Sequence, residues 1–174
     1  MANIDAPFGL RPIAKVGSAP GGTTGTTKYS ITSGAGGIFT GDPVKPAADG
    51  SIVVATAGDP IRGVFMGCFY TDPTTQKPTF SNHYPGGIAA SDITAFIVDD
   101  PDAVFLVDAD EAFTRADLYK NYSVTNTTGV TQTGISKAQL DVSASGTAQT
   151  FVIQAIDISQ DPDNSDTTVS NANI

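Results

Sequence analysis

The sequence predicts an all-β fold: a small antiparallel barrel or sandwich with one or two short helices and an extended N-terminal arm. Three observations carry this expectation. The 174 residues include 18 Gly and 11 Pro, and Asp-Pro and Asp-Gly pairs punctuate short apolar runs. Asp opens a type I turn by bonding its backbone, and Pro presets φ at the next position. The acids are almost all Asp, with Glu111 the sole Glu, a bias toward turns and away from helix. The apolar runs are strand-sized, and several alternate with polar residues.

The chain is organised around Gly41–Phe69. Gly41-Asp42-Pro43-Val44 opens this stretch and Gly58-Asp59-Pro60-Ile61 repeats the opening. Asp49-Gly50 between them is a hairpin-type turn. Strands are expected at Val44–Lys45, Ser51–Ala55 and Ile61–Phe69, with Gly63 and Gly67 marking a bulge or sharp curvature in the last.

Residues 1–27 are expected to form an arm, 28–160 a single β-rich domain and 161–174 a polar tail with a weak edge strand at its tip. The arm holds one apolar part, Phe8-Gly9-Leu10-Arg11-Pro12-Ile13, followed by a Gly/Thr/Ser-rich stretch that cannot pack a core of its own. Phe8, Leu10 and Ile13 either dock on this chain's own sheet or reach a neighbouring subunit. Lys28–Thr32 alternates as a strand, and Gly34–Gly37 turns the chain back to Ile38-Phe39. Thr71–Gly87 is a long polar excursion carrying Phe80, His83 and Tyr84, whose aromatics suit either an ordinary hairpin loop or anchors of a contact surface. Ile93–Val98 and Ala103–Val107 are strands, joined by Asp99-Asp100-Pro101-Asp102. Phe113–Asn121 carries the strongest helix signal: Thr114 as cap, Asp117 three residues on, and Phe113 and Leu118 as staple. Ser136–Gln139 offers a second capping box in surroundings that also suit a strand. Phe151–Ile158 is the closing strand, ended by Asp161-Pro162-Asp163-Asn164.

Composition excludes several functions. A formal net charge of −9 repels nucleic acid and anionic membranes but leaves cationic protein partners open. No apolar run approaches the length of a membrane helix, and the first residues lack the basic and apolar regions of a signal peptide. With Cys68 the only Cys, no intrachain disulfide forms, and one Cys and one His (His83) do not make a zinc set. Cys68 lies in the apolar run Val64–Phe69 and is expected as a core residue rather than half of a Cys/His dyad. Asp99, Asp100, Asp102, Asp108, Asp110 and Glu111 cluster in sequence, but their spacing fits no calcium loop. A solvated acidic rim is expected there. No phosphate loop, nucleophile elbow or metalloprotease motif is present. No catalytic residue, metal or cofactor is therefore expected.

Several segments, taken in order, carry a resemblance. They are Phe8-Gly9-Leu10-Arg11-Pro12, Lys28-Tyr29-Ser30-Ile31, Gly41-Asp42-Pro43-Val44-Lys45, Ile61-Arg62-Gly63-Val64, Asp99–Phe105, Ser136–Asp141 and Pro162-Asp163-Asn164. This order resembles small virion proteins of tailed bacteriophages, of the head decoration or capsid cement type. The tail departs from that pattern, being short after Asn164. The resemblance implies a non-enzymatic β-rich knob on the outer surface of the capsid, a homotrimer bridging subunits of the major capsid protein. It implies contact through the arm, chiefly Phe8, Leu10, Arg11 and Pro12, with Phe80 and Tyr84 as further anchors. A phage fibre or host-adhesion module is the alternative.

Overall fold

The computed structural model describes residues 3–17, 25–146, 152–160, 164 and 169–174. The fold is all-β, as expected, and its sheets stay open in a sandwich-like arrangement rather than closing into a barrel. Eleven strands are present among the described residues: β1 (Arg11–Lys15), β2 (Thr27–Ser30), β3 (Pro43–Pro46), β4 (Ile52–Val54), β5 (Gly63–Thr71), β6 (Pro78–Ser81), β7 (Thr94–Val98), β8 (Ala103–Leu106), β9 (Asn121–Thr125), β10 (Gln139–Gly146) and β11 (Ile153–Gln154). They form a six-stranded sheet ordered β2-β7-β5-β3-β4 with β6 also on β5, a three-stranded sheet β10-β9-β11, and the pair β1-β8. Every strand pair is antiparallel.

Strand β5 holds the molecule together. It pairs with β7 along one edge and with β3 and then β6 along the other. Successive strand residues face opposite ways, so Val64 enters one hydrophobic core and Phe65 the other. The Val64 core gathers Leu10, Phe113, Tyr122 and Leu140; the Phe65 core gathers Ile38, Ile52, Tyr84 and Ile97. The ladder to β7 slips between Phe65 and Gly67, where Gly67 sits at φ 144° and a Cβ would stand 2.9 Å from the Ser81 carbonyl oxygen. This is the bulge that the strand glycine foretold.

Three expectations need correction. The helix at Phe113–Asn121 is a single 3-10 turn, Arg115–Asp117. Its cap is as expected, the Asp117 carboxylate accepting from the Thr114 amide at 3.1 Å and hydroxyl at 2.7 Å. Tyr119 then turns to φ 66°, and Asn121 begins β9 instead of ending a helix, because Tyr122 and Val124 are needed in the core. The Ser136 capping box forms no helix: the Ser136 hydroxyl accepts from the Ala138 amide at 3.0 Å, and Gln139 enters β10. Of the closing strand, β11 covers Ile153–Gln154; Phe151 and the Asp161–Asp163 turn lie outside the described residues.

Described parts of both ends pair with the rest of the chain. Strand β1 lies within the stretch expected as an arm; it is extended, but paired to β8. At the other end, Val107 and Ile174 exchange backbone hydrogen bonds at 3.0 and 2.9 Å, and Ala172 is fully buried. Asn164 locks this return. Its Nδ2 donates to the carbonyls of Ser159 and Asn173, and its Oδ1 accepts from the Asn173 amide.

Asp108 departs from the expected acidic rim, being 2% exposed. Burial pushes its carboxyl from an ordinary 3.8 up to about 6, against the hydrogen bond from Gln139 and aided by the charges of Asp5 and Asp110. A carboxyl raised in this way adds stability in full below pH 3.8 and loses it as pH rises through 6. Keeping it ionised at neutral pH costs on the order of 3 kcal/mol. Asp108→Asn removes that cost at the expense of an amide NH2, with two N–H donors, where the buried Oδ1 has no partner. We expect a gain of about 1 kcal/mol at pH 7.5 and none at pH 4, read by urea titration at each pH. Equal effects at both pH values would contradict a buried charge.

Candidate interaction surface

The expected contact residues divide between the N-terminal segment and the β5–β6 region. In the first, Gly9 at φ 73° crosses Gly41 at φ 93°, backbone against backbone. A Cβ on Gly9 would stand 2.7 Å from the Gly41 carbonyl oxygen, and one on Gly41 would stand 2.9 Å from that of Phe8. Only glycine permits this approach. The Leu10 amide donates to the Gly41 carbonyl at 3.0 Å, and the Leu10 side chain, 1% exposed, enters the core beside Ala138 and Leu140. Three segments distant in sequence, Phe8–Pro12, Gly41–Lys45 and Ser136–Leu140, therefore meet at one junction.

Beyond Leu10 the segment surfaces. Arg11 is exposed with its guanidinium 4.8 Å above the Phe8 ring, while Phe8 and Pro12 are half-buried. Arg11 and Pro12 lie opposite Leu106 and Phe105 of β8, and no second strand pairs with β1 among the described residues. Pro12 brings no N–H, which suits a sheet edge. Ile13 and Val16 remain largely exposed. Leu10, by contrast, is spent on the chain's own core, so deleting residues 1–27 would strip packing as well as surface.

The second region holds the most exposed aromatic side chain of the described residues. Phe80 on β6 is 75% exposed. It lies directly across from Phe69 on β5, ring centroids 4.8 Å apart and tilted by 53°, and stacks near Phe96 of β7 at 6.2 Å and 17°. Gly67, opposite Phe96 in the ladder, has no side chain to come between these rings. Lys28 on β2 lies next in register to Phe96. The result is a three-phenylalanine platform on the outer face of the large sheet.

Phe69 and Phe96 escaped the sequence reading because both sit inside continuous apolar runs, Val64–Phe69 and Ile93–Val98. Strand parity could have found them. Cys68 and Tyr70 flank Phe69, and Ala95 and Ile97 flank Phe96, and all four are buried. The residue between two inward neighbours must face out.

Tyr84 is not part of that platform. It is 1% exposed, its backbone exchanges hydrogen bonds with Ile38 at 2.9 and 2.7 Å, and its hydroxyl oxygen accepts from the Ile88 amide at 3.3 Å. Tyr84→Phe should accordingly cost about 1 kcal/mol in urea-measured stability by orphaning that amide, with no change in partner binding. A binding defect at unchanged stability would return Tyr84 to the surface.

The acids at Asp99–Asp102 are largely neutralised within the chain. Burial alone would raise the Asp99 carboxyl, but donors from Tyr29 (2.6 Å) and Thr27 (2.8 Å) and the Arg62 charge (3.1 Å) hold it below its ordinary value. Lys15 binds Asp100 at 2.6 Å and lowers its carboxyl too. Among the described residues, no three His, Cys, Asp or Glu side chains gather as a metal-ligand set. Cys68 is 1% exposed, and burial pushes its thiol up to about 11. Its sulfur lies 3.6 Å from the His83 carbonyl oxygen, while the His83 ring stacks on Phe39.

No protein-family model, curated protein or solved structure matches the chain.

Proposed function

We propose that the chain is a structural virion protein that binds the outer surface of a phage capsid and cements neighbouring subunits of the major capsid protein, acting as a homotrimer. The observation that carries this reading is the Phe69–Phe80–Phe96 platform. An exposed ring backed by two others is a pre-ordered anchor: it offers apolar area while losing little side-chain freedom on docking. The partner surface implied is an apolar pocket with a cationic rim, since the chain carries a net charge of −9.

The N-terminal segment supplies a second means of attachment. With no second strand on β1 among the described residues, its outer edge can take a strand from a capsid subunit or a second copy. Phe8, Arg11 and Pro12 flank that edge, and Leu10 fixes it from inside. The order of motifs from Phe8-Gly9-Leu10-Arg11-Pro12 to Pro162-Asp163-Asn164 points the same way.

Co-sedimentation of the purified chain with phage heads stripped of it tests the reading. Saturation at a copy number commensurate with icosahedral symmetry is expected. Absence of binding to heads would overturn it, and attachment in few copies to tails or host cells would favour a fibre or host-adhesion module.

A further inference from the structure

The chain ahead of β1 is tied down at two points with little between them. At one, the Asn3 Nδ2 donates to the Ser170 carbonyl at 3.3 Å, against the C-terminal return. At the other, the Gly9–Gly41 crossing and the buried Leu10 fix the backbone. Ile4, Asp5, Ala6, Pro7 and Phe8 make no hydrogen bond among the described residues, and Ile4 is 74% exposed. A span held in this way belongs to the low end of local stability. Its one charge, Asp5, acts on the buried Asp108. Asp108 Oδ1 has no hydrogen-bond partner, while Oδ2 accepts from Gln139 Nε2 at 3.0 Å and the Ala109 amide gives a smaller stabilisation. The elements around it supply no cation. Its own stretch brings Asp110, β10 brings the neutral Gln139, and residues 169–174 of the return carry no ionisable side chain. None of the ion pairs among the described residues reaches it.

We propose that residues 3–8 form a proton-controlled strap, held down while Asp108 is protonated and lifted when it ionises, with the Gly9–Gly41 crossing as the point where lifting stops. Once ionised, Asp108 is a buried carboxylate beside two like charges and no cation, an arrangement that favours any movement that relieves it. Lifting the strap carries Asp5 away and opens one side of Asp108 to water, and it gives up little hydrogen bonding. The other neighbours are harder to move. The stretch Val107–Asp110 is bonded through its backbone to Leu140 on one side and to Asn171, Ala172 and Ile174 on the other. The direction follows from the burial that raises the Asp108 carboxyl to about 6: the closed form holds the proton more tightly than a form in which the group is solvated. The closed form is therefore favoured in full below pH 3.8 and loses that advantage as pH rises through 6. Phe8 lies ahead of the crossing and moves with the strap, so release changes the surface offered to a partner. That use rests on the proposed attachment; the strap itself does not, and its test needs the free chain alone.

Backbone 15N relaxation of the full chain at pH 4.5 and pH 7.5 tests this. The amides of Ile4, Asp5, Ala6 and Phe8 report the strap; those of Ala109, Leu140 and Ala172 report the sheet beneath it. Ordered strap amides are expected at pH 4.5 and mobile ones at pH 7.5, with the sheet amides rigid at both. The open-to-closed ratio should rise by about tenfold or more, within a ceiling on the order of a hundredfold set by the shift from 3.8 to about 6. Asp108→Asn, which cannot ionise, should keep the strap down at both pH values. Asp5→Lys places a cation on the strap at an exposed position and should hold it down at pH 7.5, so the test survives if the first variant misfolds. Strap amides equally ordered at both pH values in the unaltered chain would overturn the proposal. So would a pH response that persists undiminished in the two variants, or loosening of the Ala109, Leu140 and Ala172 amides together with the strap, since the whole sheet rather than a strap would then be responding.

Discussion

Phe80→Ala should weaken binding of the chain to stripped phage heads by about thirtyfold or more, the cost of removing an aromatic anchor from an interface centre. Its effect on folding should be within about 0.5 kcal/mol, because a ring 75% exposed contributes little to the monomer. The separation of these two effects is the diagnostic feature. Phe69 and Phe96 remain to form the floor of the platform, so the fold keeps its sheet. Phe80→Tyr should retain most of the affinity, since the contact area stays. Copies bound per head across a concentration series measure the first effect, and urea unfolding measures the second. Affinity equal to wild type for Phe80→Ala would remove the platform from the interface and leave the β1 edge as the attachment.

Phe113→Ala should cost about 4 kcal/mol of unfolding free energy, within the usual span for a buried aromatic truncated to alanine. Phe113 is fully buried and lies against Tyr122, ring centroids 5.6 Å apart and tilted by 55°. Tyr122 is itself pinned by its hydroxyl, which donates to the Asp117 carbonyl at 2.7 Å. Burial pushes that phenol up to about 12, so it stays a donor throughout the working pH range. The pinned ring cannot swing into the space left by Phe113, and the cavity persists. A domain of this kind holds only about 5–15 kcal/mol in all, so one truncation removes a large share. Urea midpoints at constant slope would report it. A loss below about 2 kcal/mol would mean that the surrounding strands collapse onto the gap.

The contrast between these residues shows what each level of description decides. Both are phenylalanines flanked by a small or polar residue, Thr79 and Ala112 on one side, Ser81 and Thr114 on the other. Nothing local marks one as surface and the other as core. The six-stranded sheet separates them, because β6 is paired along β5 with its odd face to the core, while Phe113 is carried under the β9 sheet by the chain between Ala109 and the 3-10 turn.

By itself the sequence determined the all-β class, the strands from β2 to β5, β7 and β8, the bulge at Gly67 and the cap at Thr114. These rest on local chemistry: φ preferences of Gly, Pro and Asp, and alternation within one run. It did not determine β1, β9 or β10, which became strands because partners elsewhere in the chain complete their hydrogen bonds, nor β6, which closes a hairpin on β5 within the polar excursion. For Leu10 and Tyr84 the sequence leaves open whether they face a partner or this chain's own core, and the Gly9–Gly41 crossing and the Ile38 bridge draw both inside. Asp108 looks like one more surface acid until the return of Ala172–Ile174 covers it. In each case the deciding quantity is burial, which depends on what lies across a sheet rather than along the chain, and tertiary structure alone supplies it.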